Sequence, residues 1–145
     1  MKPKFFIKHI ILLCLLTMTF SVRAAIPITI EGKAFLFQVA KIKTENNPNA
    51  NEIFIMHFNK DTYAYETIGQ QKIIKGNYTY KVLDHDNEIA LISCHEIYEG
   101  KKTDYTLLLN GENDKSGLYI YKQTNGSINP QKRLNFSYYT ILANL

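Results

Sequence analysis

Gly76-Asn77-Tyr78-Thr79-Tyr80-Lys81-Val82-Leu83 runs into Asp84-His85-Asp86-Asn87, and Glu88–Tyr98 follows at once. In the first stretch Tyr78, Tyr80 and Val82 alternate with Asn77, Thr79 and Lys81. Side chains two apart on a strand share a face, so this is the pattern of a half-buried β-strand with its tyrosines and valine inward. The polar residues after it have turn chemistry. In Glu88–Tyr98, Ala90, Ile92 and Cys94 share one face, while Ile89, Leu91 and Ile97 share the other with Ser93 and His95. Apolar residues on both faces predict either a strand covered on both sides or a bulge that shifts its phase. A link this short joins antiparallel neighbours, because a parallel crossover needs a dozen or more residues.

The same grammar extends in both directions. Apolar and aromatic alternation marks Ala34–Ala40, Glu52–Asn59 and Thr62–Thr67 before this pair, and Thr103–Asn110, Gly117–Gln123 and Lys132–Thr140 after it. With the opening pair that makes eight candidate strands, and no stretch of the mature chain shows a helical period. Ala25–Glu31 reads as an extended entry ended by Gly32, and Thr67–Lys75 is open between a short strand and a loose turn. Turn signals separate the strands: Glu45–Asn51, Asn59-Lys60-Asp61, Glu99-Gly100-Lys101-Lys102, Asn110-Gly111 to Ser116-Gly117, and Asn125-Gly126. Eight sequential antiparallel strands close most naturally into an up-and-down barrel, which leaves no exposed edge. An open two-sheet sandwich is the alternative. Phe54, Phe58, Tyr80, Leu107 and Phe136 are the expected core, with Leu134, Phe136 and Tyr138 on one face of the last strand and Arg133, Asn135 and Ser137 on the other.

The chain has 145 residues and a formal charge of +4. Residues 1–24 read as a secretory signal peptide: Lys2, Lys4 and Lys8, an apolar core from Ile10 to Phe20, and Val22-Arg23-Ala24 before a cleavage site preceding Ala25. That core is shorter than the roughly 20 apolar residues a membrane span needs. Cleavage would remove Lys2, Lys4, Lys8 and Arg23 and no acid, leaving residues 25–145 as one formally neutral domain. The excess charge is therefore no sign of nucleic-acid binding, and a secreted or periplasmic location without a membrane anchor is expected. Cys14 would leave with the leader, so Cys94 has no partner for an internal disulfide and reads as a buried thiol.

Few residues suggest chemistry. Cys94 and His95 are adjacent and so point to opposite faces of a strand. His57, His85 and His95 lack the spacing of a zinc site. Asp84, Asp86 and Glu88 alternate like the start of a calcium loop, but Ile89 stands where such a loop needs Gly. No nucleophile elbow, phosphate loop or dinucleotide fingerprint occurs. No catalytic residue, metal or cofactor is expected, and the chain does not read as an enzyme. The ten tyrosines are the salient feature. They are read first as packing residues, and second as the wall of a mixed polar and apolar pocket.

Gly32 ahead of an aromatic strand, Gly76-Asn77-Tyr78-Thr79-Tyr80, Glu88–Ile92, Tyr105-Thr106-Leu107-Leu108-Leu109 and Ser116-Gly117 together resemble a small calycin, the lipocalin-like group that includes MoaF-like domains. The resemblance spans about Gly32–Tyr139, and the lipocalin Gly-x-Trp signature is absent. It implies an eight-stranded barrel with an internal pocket. Ser116-Gly117-Leu118-Tyr119 also resembles the Ser-Gly loop of periplasmic lysozyme-inhibitor barrels, although those usually carry a disulfide. The expected function is binding of a small apolar or amphipathic ligand without catalysis, with Tyr78, Tyr80, Tyr105 and Tyr138 as candidate ligand-binding residues. The alternative is a protein-binding domain, such as an inhibitor of an extracellular or periplasmic enzyme.

Overall fold

A computed structural model describes residues 26–126 and 133–142. The proposed leader, residues 1–24, lies outside them. Eight strands follow in chain order: β1 Ala34–Gln38, β2 Ile53–Phe58, β3 Thr62–Thr67, β4 Ile73–Asp84, β5 Ile89–Tyr98, β6 Lys101–Gly111, β7 Ser116–Asn125 and β8 Leu134–Leu142. Each pairs antiparallel with the next, and β8 returns to β1, so the barrel is closed. The sandwich alternative is thereby excluded. The ambiguous stretch after Thr67 resolves as a turn around Gly69 followed by strand from Ile73.

Cross-strand partners lie on the same face, so the register carries the inward face around the barrel. Phe35 faces Met56, Met56 faces Tyr65 and Tyr65 faces Ile74 across β1 to β4. Tyr63 faces Gly76, Gly76 faces Glu96 and Glu96 faces Thr103 across β3 to β6. Phe35, Phe58, Tyr63, Ile92, Leu109 and Tyr139 are fully buried. Their aromatic rings meet edge-on or offset, as Phe35 does with Phe58 at 5.4 Å and with Tyr139 at 5.7 Å between centroids. In β5 the inward set is Ala90, Ile92, Cys94 and Glu96, without a phase change. The adjacent bulge lies in β4, between Val82 and Asp84. Among the described residues no second layer covers the outer end of β5, where Ile97 is 74% exposed.

The last strand corrects the sequence reading. Leu134, Phe136 and Tyr138 point outward and are 47%, 69% and 57% exposed. The inward face of β8 is Asn135, Ser137, Tyr139 and Ile141. The cause is registry: Tyr139 lies opposite Phe37 on β1, and Ser137 lies opposite Tyr119 on β7. Both partners are buried, so β8 must match their phase. Alternation of apolar and polar residues alone names two faces without saying which is inside. Of the expected core, Phe58 and Leu107 are buried, Phe54 and Tyr80 are half-buried against it, and Phe136 is outside.

One end of the barrel is stoppered by the entering chain. Ile26 and Ile30 are buried in the core cluster. The Ile26 N–H donates to the Glu88 carboxylate, and the Tyr80 hydroxyl donates to the Pro27 carbonyl. Gly32 N donates to Phe58 O at 2.8 Å and Phe58 N to Lys33 O at 3.0 Å, continuing the ladder beside β2. The opposite end, where β1–β2, β3–β4 and β5–β6 connect, is the open one.

Candidate functional site

A cavity of about 530 Å³ enters the barrel at that open end. Its apolar lining comes from Phe37, Phe54, Met56, Ile74 and Leu107. Interleaved with these around the barrel are Tyr65, Tyr105, Tyr119 and Tyr121 with Glu96, Thr103, Gln123 and Asn135, as where Tyr65 pairs with Met56 and Ile74 and Tyr121 with Leu107. The rim carries Lys72, Lys101 and Arg133 beside Glu52 and Glu99. Lys72 is already engaged, 3.7 Å from Glu99 and 4.2 Å from the centre of the Tyr98 ring. The volume falls within the range of about 300–1,000 Å³ usual for small-molecule sites.

The chemistry centres on Glu96, which is 7% exposed. Tyr63 donates its hydroxyl hydrogen to Glu96 Oε2 at 2.6 Å, and Tyr105 donates to Tyr63 Oη at 3.0 Å. Tyr65 lies 3.5 Å from Glu96 Oε1. Burial raises the Glu96 carboxyl above the ordinary range, opposed by the donated tyrosine hydrogens. Burial also raises the phenols of Tyr63, Tyr65 and Tyr105, so they remain protonated donors. Gly76 makes the arrangement possible. A Cβ there would fall 2.7 Å from Tyr63 Oη, the hydroxyl that bonds Glu96. Tyr121 completes the polar lining by donating to Gln123 Oε1 at 3.2 Å, while Gln123 Nε2 donates to Asn125 O at 3.0 Å. Asn135 keeps a buried side-chain oxygen with no donor.

The four candidate tyrosines do not form one site. Tyr105 lines the cavity and joins the Glu96 cluster. Tyr78 is inward but lies away from the cavity, its hydroxyl donating to Asn59 O at 2.6 Å. Tyr80 is inward at the stoppered end, occupied by Pro27. Tyr138 lies on the outer wall, because β8 has the opposite phase to the one its pattern predicts. Glu96 was the residue the sequence reading missed. The available signal was its position two residues after Cys94, in phase with Ala90 and Ile92.

The remaining polar groups have local roles. Asp84 Oδ1 accepts from the backbone N–H groups of Asp86 at 2.9 Å and Asn87 at 3.0 Å, holding the β4–β5 turn. These hydrogen bonds, first of all the one from the Asn87 side chain, lower its carboxyl. Asn113 Oδ1 does the same for Lys115 and Ser116 in the β6–β7 turn. Cys94 is fully buried, its thiol raised by desolvation, and His95 points out to Asp104 at 2.7 Å. Among the described residues no group of three or more His, Cys, Asp or Glu side chains could hold a metal ion.

Fold and cavity together define a class: a closed eight-stranded antiparallel barrel, stoppered at one end, with a tyrosine-rich cavity open at the other. Comparison with protein-family models, with curated proteins and with solved structures finds no match to this chain.

Proposed function

We propose that this chain is an exported, calycin-like binding barrel that takes up a small amphipathic ligand and performs no chemistry on it. The observation that carries the reading is the one-ended cavity of about 530 Å³ whose lining mixes apolar side chains with tyrosines and other polar groups. A closed barrel offers such a concavity on a rigid frame, and apolar area removed from water supplies affinity of about 25 cal/mol per Å² before ordering costs. The buried Glu96 cluster would orient the ligand. Burial holds Cys94 as a thiol and the neighbouring phenols as protonated donors, which suits holding a ligand rather than attacking it. The test is native mass spectrometry of protein from its own source, followed by calorimetric titration with fatty acids, haem-like compounds and aromatic amphipaths. A retained small molecule, or saturable binding that Leu107→Trp abolishes by filling the cavity, supports the reading. No bound species and no saturable binding by any of these compounds refutes it.

A second reading has its own observation. Leu118 pairs with Tyr138 and Ile120 with Phe136 across β7 and β8, and with Leu134, opposite Lys122, they form an exposed apolar strip on the outer wall. Such strips mark protein contacts when they are large and continuous. A protein-binding domain would use this wall, and Phe136→Asp would abolish its complex while leaving ligand titrations unchanged.

A further inference from the structure

We propose that the ligand carries a protonated amine, whose ammonium group seats on the Glu96 carboxylate while its apolar part lies against Phe37, Phe54 and Met56. This rests on the reading of the cavity as a ligand site and adds the chemistry of the ligand's head.

Two observations converge. First, Glu96 faces the cavity from a position that is more than nine-tenths buried, yet its described partners are all phenols. A phenol gives one hydrogen, and Tyr105 directs its own chiefly to Tyr63 at 3.0 Å rather than to Glu96 at 3.5 Å. An ionised carboxylate accepts about four hydrogen bonds, so the Glu96 oxygens retain capacity toward the cavity. Among the described residues no Lys, Arg or His forms an ion pair with it. A buried charge is costly unless it is paired, and a ligand ammonium supplies the missing cation. Secondly, Tyr65, Tyr105 and Tyr121 line the wall around Glu96, with the Tyr105 and Tyr121 rings 5.2 Å apart. Aromatic faces attract cations and repel anions through their quadrupoles.

The titratable groups around Glu96 are Tyr63 and Tyr65 on β3, Cys94 on its own strand, Tyr105 on β6 and Tyr121 on β7. Farther out, at the rim, are Lys72, Lys101, Arg133, Glu52 and Glu99. The rim cations define the competing arrangement, in which an acidic head stays at the mouth and only its tail enters.

The experiment compares octylamine, octanol and octanoate, three probes of one chain length, by calorimetry with the full chain. The amine is expected to bind at least tenfold more tightly than the alcohol at neutral pH. Its affinity is expected to fall about tenfold or more as acid protonates Glu96, while that of the alcohol stays level. In Glu96→Gln the amine should drop to the level of the alcohol, and its pH dependence should vanish. If Glu96→Gln does not fold, the contrast between amine and alcohol across pH in the unaltered chain carries the test. Tightest binding by octanoate, lost in Lys101→Ala or Arg133→Ala, overturns the amine but keeps the cavity as a ligand site. An amine preference that survives in folded Glu96→Gln overturns the seat on Glu96. Failure of all three probes to bind overturns the inference, and the cavity reading falls separately if the wider panel also fails.

Discussion

Gly76→Ala is the smallest change that strikes the centre of this molecule. The added Cβ would lie 2.4 Å from the His95 carbonyl oxygen, 2.7 Å from Tyr63 Oη and 2.8 Å from Tyr63 Cζ. A carbon and a carbonyl oxygen settle at about 3.3 Å or more, so β4 and β5 must part by roughly 0.9 Å at this point. The Tyr63 ring must retreat by a similar distance, which breaks its 2.6 Å hydrogen bond to Glu96. Crowding a packed interior costs about 1–3 kcal/mol. Leaving a buried carboxyl short of a donor costs about 1–3 kcal/mol more. The loss of chain entropy in the unfolded state returns about 0.4–1 kcal/mol in favour of alanine. A net loss of about 1–5.6 kcal/mol is expected, read from the urea midpoint at unchanged slope. In a Tyr63→Leu background the ring clash and the hydrogen bond are both gone. The cost of Gly76→Ala should therefore shrink there, leaving the part due to the His95 carbonyl. A loss under about 1 kcal/mol in the unaltered background would refute the reasoning, as would an equal loss in both.

Three further outcomes are expected. Phe35→Ala should destabilise by about 3–5 kcal/mol because the ring is fully buried, whereas Phe136→Ala, 69% exposed, should cost under about 1 kcal/mol in the same denaturation assay. In a chain begun at Ala25, which lacks Cys14, the thiol of Cys94 should resist labelling reagents at neutral pH, because it is buried and raised by desolvation, and should label stoichiometrically in denaturant. Glu96 binds its proton more tightly folded than unfolded, so its contribution to stability is neutral below the ordinary carboxyl range, declines as pH rises through that range, and levels off once the folded carboxyl has ionised. Glu96→Gln removes that decline, so thermal melts should show the variant gaining on the unaltered chain as pH is raised from about 4. A gap that is constant with pH would show that Glu96 has an ordinary affinity for protons in the barrel.

Period-two alternation, together with turns too short for crossovers, was enough to determine an all-β chain of eight sequential antiparallel strands. Within Gly76–Leu83 it also named the right inward face, because Tyr78, Tyr80 and Val82 are plainly more apolar than Asn77, Thr79 and Lys81, and it placed Phe54 and Phe58 of Glu52–Asn59 inward. The sequence also favoured closure into a barrel over an open sandwich, and the pairing of β8 with β1 bears this out, whereas the direction of β8 came only from tertiary structure. Leu134, Phe136 and Tyr138 are more apolar than Asn135 and Ser137, yet they lie outside, since Phe37 and Tyr119 on the flanking strands dictate the phase. The site needed long-range information for the same reason. Tyr63, Gly76, Glu96 and Tyr105 come from four strands, and no local spacing records that a missing Cβ at one lets the ring of another reach the carboxyl of a third. Alternation is a property of one strand and is written in its residues. The choice of which face turns inward, and which side chains meet there, is a property of neighbouring strands in register, and the chain settles it only by closing.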